Sequence, residues 1–273
     1  MRVVISAGGT GGHIYPALAI INKIKEMEPN SEFLYIGTTN RMEKDLIPSM
    51  GYRYEGIEVT GFKRKLTLDN FKTITNFINA IKRCKIIIKD FDPDIVIGCG
   101  GYVTAPVIYA AKKLGKKTFI HEQNSVVGLA NKFLARYTDK IGVSFESTIK
   151  DFPKGKAILT GNPCSEKALS IKKTTKEKLD IAKDKKLVLI VMGSLGSKTI
   201  NDKIFSFIDK FRSKNYSVII VTGNSYYERV KDKRVPSNVK VLPFIYEMPS
   251  VMKITDLMVT RAGASTMSEI TAL

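Results

Sequence analysis

Short apolar runs alternate along this chain with longer stretches in which apolar residues return every three or four positions. Arg2–Ala7, Glu32–Ile36, Asp94–Gly98, Lys117–His121 and Lys140–Val143 read as strands, with helical periodicity in the intervals between them. Such a βαβ series makes a parallel sheet with helices on both faces. The pattern loosens between Lys150 and Lys186, where Lys, Thr and Asp take over. It restarts with strands at Leu187–Met192, Ser217–Val221, Val239–Leu242 and Leu257–Val259. The prediction is an α/β protein of two Rossmann-like domains, residues 1–160 and 161–273, with parallel sheets facing a cleft. The chain stops at Ile270-Thr271-Ala272-Leu273, inside what reads as a helix after only four strands of the second unit, so a truncated second domain is the expectation.

Glycine punctuates the strand ends. The first strand runs into Gly8-Gly9-Thr10-Gly11-Gly12-His13 and then into helix-permissive sequence at Ile14-Tyr15-Pro16, where proline is tolerated in a first turn. A strand that feeds a helix through glycines aims backbone N–H groups and the positive end of the helix dipole at one point, which suits a phosphate or a developing alkoxide. The blander alternative is a β–α turn that needs only tight packing. The loop is not the dinucleotide fingerprint, because position 14 is Ile14 and no acid follows the next strand, which ends in Gly37-Thr38-Thr39. Gly193-Ser194-Leu195-Gly196-Ser197-Lys198-Thr199 lacks the G-K-[ST] triplet of an ATPase loop. No cofactor is called for.

Composition narrows the class. At 273 residues, with 44% hydrophobic residues, two ordinary globular domains are expected. No apolar run reaches the 18 or so residues of a membrane span, and the N-terminal run is too short for a signal peptide, so a cytoplasmic location is expected. Cys84, Cys99 and Cys164 are too few and too scattered for a disulfide framework or a zinc site, and each reads as a small buried hydrophobe. Asp90-Phe91-Asp92-Pro93-Asp94 reads as a loop entering a strand rather than a metal motif, and no metal site is expected elsewhere.

A net charge of +18 changes the picture more. It draws the protein to polyanions, but no nucleic-acid docking motif or interleaved stacking aromatics accompany it, so nucleic acid is not expected. Between Gly61 and Asp90 stand eight Lys or Arg against two acids. Phe71, Ile74, Phe77, Ile78, Ile81 and Ile88 of that segment share one helical face. Most of this face suits core packing. The entrance, Phe62 with Lys63-Arg64-Lys65, together with Phe71 and Ile74, suits an anionic membrane surface.

In doubly wound sheets ligands bind beyond the carboxyl ends of strands, and the unusual residues cluster there: Gly100-Gly101-Tyr102-Val103-Thr104, His121-Glu122-Gln123-Asn124, Gly193-Ser194 and Arg261-Ala262-Gly263-Ala264-Ser265-Thr266-Met267-Ser268-Glu269. The second unit, with two hydroxyl-rich helix starts and an acid, fits a nucleoside diphosphate whose ribose diol meets a carboxylate. The first unit, with His13 and His121–Asn124, fits an acceptor and a proton transfer.

Together with Gly8–His13 and Gly161-Asn162-Pro163, these motifs resemble, in order and spacing, glycosyltransferase family 28 and its peptidoglycan branch, which adds N-acetylglucosamine to undecaprenyl-linked muramoyl-pentapeptide. The resemblance spans the whole chain. It implies a GT-B fold, inverting transfer from UDP-N-acetylglucosamine to the lipid-linked acceptor (lipid I to lipid II) without metal, and peripheral attachment to the cytoplasmic face of the cell membrane. It implies donor contacts at Thr10, Gly11, Gly12, Asn124, Ser165, Ser194, Ile245, Ala264, Ser265, Thr266, Met267, Ser268 and Glu269. Acceptor contacts are implied at Gly101, Tyr102 and Thr104. His13 is the expected base, with Glu122 orienting it or serving as the base itself. Three departures stand out: Cys164-Ser165 replaces an expected arginine, Leu195 an expected glutamine, and the family's paired glutamines would lie past Leu273. Another GT-B glycolipid synthase, a sugar-nucleotide epimerase or a non-catalytic carrier-lipid scaffold are the competing expectations.

Overall fold

The computed structural model describes the backbone of residues 1–61 and 69–273, and side chains throughout these ranges except for residues 69–72. Phe62, Lys63, Arg64 and Lys65, and the side chain of Phe71, lie outside the described residues. The chain divides into two compact units, Met1–Pro163 and Cys164–Leu273.

Unit 1 contains β1 (Arg2–Ser6), α1 (Gly11–Met27), β2 (Glu32–Thr38), α2 (Glu43–Ser49), β3 (Arg53–Ile57), α3 (Asp69–Phe91), β4 (Ile95–Gly98), α4 (Thr104–Lys113), β5 (Lys117–Glu122), α5 (Leu129–Leu134), β6 (Lys140–Val143) and β7 (Ala157–Leu159). Its seven strands pair in the order β3-β2-β1-β4-β5-β6-β7, all parallel. Strand order reverses between β1 and β4, so the loops after these two strands leave toward opposite faces and open a crevice where ligands bind in such sheets. One apolar layer packs Ile14, Ala17, Leu18 and Ile21 of α1 and Ile47 of α2 on the sheet; the other packs Ala80, Cys84 and Ile88 of α3 with Val107 and Ile108 of α4. Each fully buried Val, Leu or Ile among them contributes about 1.5–3 kcal/mol. Burial on both faces is why the central strands are apolar throughout.

Unit 2, entered through α6 (Pro163–Ser170), contains β8 (Lys186–Val191), α7 (Lys198–Phe205), β9 (Tyr216–Val221), α8 (Asn224–Val230), β10 (Val239–Leu242), α9 (Met248–Met252), β11 (Leu257–Thr260) and α10 (Ala264–Ala272). The strands run parallel in the order β10-β9-β8-β11, and the reversal falls between β8 and β11. Apolar layers again cover both faces.

Every strand read from the apolar pattern is present. Two edge strands, β3 and β7, were not legible: Arg53-Tyr54-Glu55-Gly56-Ile57 is polar and half-exposed, and Ala157-Ile158-Leu159 is only three residues long. An edge strand is buried on fewer sides, so the apolar signal fades. Helix α3 is also rotated from expectation. Its core face is Ala80, Cys84, Ile87, Ile88 and Phe91, whereas Ile74 and Ile78 are 45% and 48% exposed. Small Ala80 and Cys84 let α3 approach α4 closely, and that contact decides which face turns inward. All three cysteines are buried, as expected.

Part of the positive charge is structural. Lys156 Nζ donates to the carbonyls of Ala135 (3.1 Å), Arg136 (3.3 Å) and Thr138 (2.8 Å), just past α5. Lys253 Nζ does the same at the end of α6, to Leu169 (2.9 Å) and Ile171 (2.5 Å). A cation at a helix C-terminus meets both the unpaired carbonyls and the negative end of the dipole.

Candidate functional site

In unit 1 the loops after β1 and β4 touch backbone to backbone. Gly101, at φ +89°, packs so closely that a Cβ there would strike the Gly8 carbonyl oxygen, and Gly8 N donates to Gly100 O at 3.2 Å. A side chain at Gly100 would meet the imidazole of His13, 2.6 Å from its Cδ2. His13 is therefore held edge-on against a glycine surface. Its Nδ1 lies 3.1 Å from Gly8 O. A carbonyl only accepts, so this contact selects the tautomer with the proton on Nδ1 and leaves the Nε2 lone pair available.

The His13 pKa is lowered chiefly by burial, against the upward pull of the Gly8 carbonyl and of the Glu122 and Glu43 carboxylates. Two of the loop amides turn inward, since Gly8 N is taken by Gly100 O and Gly9 N donates to Glu43 Oε2 at 3.2 Å. Thr10 is the N-cap residue of α1 without a side-chain cap bond, followed by Gly11 and Gly12 in the first turn.

Glu122 is buried at the end of β5, where four donors surround its carboxylate. Oε1 accepts from Asn124 N (3.0 Å) and Nδ2 (2.9 Å), and Oε2 accepts from Gly128 N (2.9 Å) and Asn131 Nδ2 (2.9 Å). This geometry makes it the anchor of the 123–128 loop. His121 is engaged at both nitrogens: Nε2 lies 3.0 Å from Gly161 O, and Nδ1 faces Gln123 Nε2 at 3.1 Å. Burial lowers its pKa, so it is a neutral tie between β5 and the segment after β7. Thr104 lies beneath the loop after β4. It is fully buried, and its hydroxyl donates to Gly100 O at 2.8 Å, so it braces the loop. Tyr102 is 62% exposed, with its ring against Gly61.

Unit 2 repeats the glycine contact between the loops after β8 and β9. Gly196, at φ +70°, abuts Thr222 O, and a Cβ on Gly223 would lie 2.5 Å from Leu195 O. Asn201 Nδ2, buried on α7, donates to Thr222 O at 2.9 Å and locks the pair. Ser194 and exposed Leu195 ride on this loop. Across the strand reversal, Gly263 caps α10. Two of the expected donor-binding hydroxyls are engaged within the unit: Ser165 Oγ donates to Ser268 O (3.0 Å), and Ser268 Oγ donates to Ala264 O (2.8 Å). The first-turn amides of Ala264, Ser265 and Thr266 and the half-buried Glu269 remain as the polar features of α10, beside exposed Met267. Burial pushes the Glu269 pKa up to about 7, and Lys167 pulls the other way. Ile245, after β10, is half-buried against the unit's core. Among the described residues, no three of His, Cys, Asp and Glu converge as metal ligands.

Two site-shaping residues escaped sequence reasoning. Asn201 carries no motif signal. Glu43 is fully buried, accepting from Thr38 N (3.2 Å), Thr38 Oγ1 (2.6 Å) and Gly9 N (3.2 Å). Only its position one short loop after an apolar strand could have drawn attention to it.

Comparison with known proteins bears on this arrangement. Residues 3–143 match the glycosyltransferase family 28 N-terminal domain, and residues 187–273 match the C-terminal domain. The chain is 49% identical over its whole length to the UDP-N-acetylglucosamine--N-acetylmuramyl-(pentapeptide) pyrophosphoryl-undecaprenol N-acetylglucosamine transferase 1 of Bacillus cereus, covering 76% of that protein. It is 48% identical to the corresponding transferase of Halalkalibacterium halodurans, covering 77% of it. Among solved structures, MurG of Acinetobacter baumannii aligns at a TM-score of 0.66 and 29% identity, over 99% of this chain and 76% of that one. The UDP-GlcNAc 2-epimerase of Neisseria meningitidis aligns at 0.64 over 97% of this chain and 78% of its own, but at 16% identity, which speaks only to fold. The fold is that of the GT-B glycosyltransferases, and the chain belongs to glycosyltransferase family 28.

Proposed function

We propose that this protein transfers N-acetylglucosamine from UDP-N-acetylglucosamine to the C4 hydroxyl of undecaprenyl-pyrophosphoryl-muramoyl-pentapeptide. The observation that carries this reading is the 49% identity, sustained across every residue of the chain, to a relative named for that transfer. The likeness to epimerases is one of fold alone.

The chemistry is a single displacement. The acceptor oxygen forms a bond to the anomeric carbon, the bond from that carbon to UDP breaks, and the configuration inverts. The hydroxyl proton passes to a base while UDP departs with the electron pair. His13 suits the base because its neutral ring has Nδ1 committed to Gly8 O and Nε2 available. Glu122 acts as the anchor of its loop. The nucleotide end is assigned to unit 2, with the α10 amides of Ala264–Thr266 and the Ser194 loop stabilising the departing diphosphate, and Glu269 accepting from the ribose hydroxyls. Tyr102 and Gly101 remain candidates for acceptor contact, and Thr10, Gly11, Gly12, Asn124, Ile245 and Met267 for donor contact.

Attachment to an anionic membrane surface fits the outer side of α3 and α5. Ile74, Ile78, Phe133 (42% exposed) and Leu129 (79% exposed) form an apolar surface in which Phe77 and Phe133 meet edge-on, with ring centroids 6.3 Å apart. Lys82, Arg83, Lys85 and Lys132 accompany it in sequence, and Phe62 to Lys65 join the proposal on sequence alone. No helix among the described residues is long and apolar enough to cross a membrane.

His13→Ala should reduce turnover by about 10²–10⁴-fold while UDP affinity stays within about threefold. Steady-state rates with a soluble acceptor analogue, alongside calorimetry with UDP, check this; retained turnover would remove His13 from the base role.

A donor site that uses the Glu269 carboxylate should bind UDP-N-acetylglucosamine more tightly as pH rises through about 7, where the group ionises. From pH 8 to pH 6 affinity should fall about tenfold, in line with the ionised fraction, and Glu269→Gln should abolish the dependence. A flat wild-type profile would contradict the ribose assignment.

Replacing both Ile74 and Ile78 by Ser should weaken binding to anionic vesicles by roughly 30-fold, since each half-exposed side chain brings about 1 kcal/mol of apolar burial to a lipid surface. Co-sedimentation equal to wild type would move the contact elsewhere.

A further inference from the structure

Glu43 and His13 grip the same peptide group from opposite sides. The carbonyl of Gly8 and the N–H of Gly9 belong to one trans peptide unit and point in opposite directions. Gly9 N–H donates to Glu43 Oε2 at 3.2 Å, and Gly8 O lies 3.1 Å from His13 Nδ1. The arrangement is built for close approach. A side chain at Gly8 would collide with Glu43 Oε1, and Gly9 holds φ +90°, which L side chains rarely adopt. The Glu43 carboxylate is fixed from behind by the backbone and hydroxyl of Thr38, at 3.2 and 2.6 Å.

We propose that Glu43 is a positioning residue for His13, acting through the Gly8–Gly9 peptide as a relayed carboxylate–histidine pair. A carboxylate that accepts from one end of a peptide unit polarises it and makes the carbonyl at the other end a stronger acceptor, because hydrogen bonds in series reinforce each other at low dielectric. The Nδ1 proton is held more firmly and Nε2 becomes more basic. When Nε2 takes up the acceptor's proton, the imidazolium that forms faces an electron-rich carbonyl backed by a buried negative charge. The charged groups acting on His13 are Glu43 from α2 and Glu122 from β5, both raising its pKa, while the loop after β4 presents glycine to the ring. Of the two, Glu43 is connected to the imidazole through a continuous hydrogen-bonded path.

The inference rests on the reading of His13 as the base, and the test separates the two. His13 and His121 are the only histidines, so their ring resonances are assignable with one His13→Ala spectrum. In Glu43→Gln, the His13 titration midpoint should fall by about half a pH unit or more, because a negative charge that favoured the protonated ring is gone, while His121 stays put. Turnover should drop about 10- to 100-fold, and the acid limb of the pH–rate profile should move down with the His13 midpoint, at unchanged UDP affinity. Glu43→Asp, which keeps the charge but shortens the reach, should lie between the two. An unmoved His13 midpoint in a folded Glu43→Gln protein overturns the relay even where His13→Ala is inactive. Turnover retained in His13→Ala overturns the catalytic half, whatever the titration shows. Should Glu43→Gln fail to fold, the wild type serves: the Gly9 amide proton must titrate with the His13 midpoint, and an amide that stays still through that range refutes the coupling.

Discussion

Backbone packed directly on backbone, at the carboxyl ends of neighbouring parallel strands, is the contact on which the rest of this structure depends. In unit 1 it is Gly101 on the carbonyl of Gly8; in unit 2 it is Gly196 on that of Thr222. Neither approach leaves room for a Cβ, and both glycines hold positive φ. Because these loops close on each other, the helices that follow start where they do, and His13 meets a glycine wall rather than solvent. The burial of that ring keeps it neutral. The same economy of space demands that polar groups beneath the loops be satisfied from within, which is the work of Glu43, Thr104 and Asn201.

How much of this was legible depended on how each signal is generated. Central strands are apolar because they are covered on two faces, so they announce themselves; β3 and β7, at the sheet edge, do not. The glycine loops were legible because few residues tolerate such contacts. Which group each loop amide would meet was not, because Gly9 bonds to Glu43, 34 positions away. Glu122 illustrates the same limit. Its residue type and place at a strand end suggest chemistry, yet Asn124, Gly128 and Asn131 occupy its carboxylate, and only the fold reveals that. The serines of α6 and α10 are similar: Ser165 and Ser268 look like ligand hydroxyls in sequence and are engaged with their own unit in space.

Charge is distributed with the same logic. The two buried carboxylates of unit 1, Glu43 and Glu122, are met by neutral donors, whereas the first-turn amides of α10 present the positive end of a helix dipole, which would suit a diphosphate. That division suits the chemistry of glycosyl transfer, in which one end of the reaction gains a proton and the other sheds an anion. The lysines are divided as well. Some, such as Lys156 and Lys253, close helix ends, and others accompany the exposed apolar side of α3, where an anionic surface would meet them.

The Gly8 carbonyl holds His13 as a neutral ring with its proton on Nδ1 and its lone pair on Nε2. Nitrogen-15 chemical shifts of the two imidazoles at neutral pH read this directly. The expected spectrum shows, for His13, a protonated Nδ1 and an unprotonated Nε2. A His13 ring carrying its proton on Nε2, or charged at both nitrogens, would contradict it.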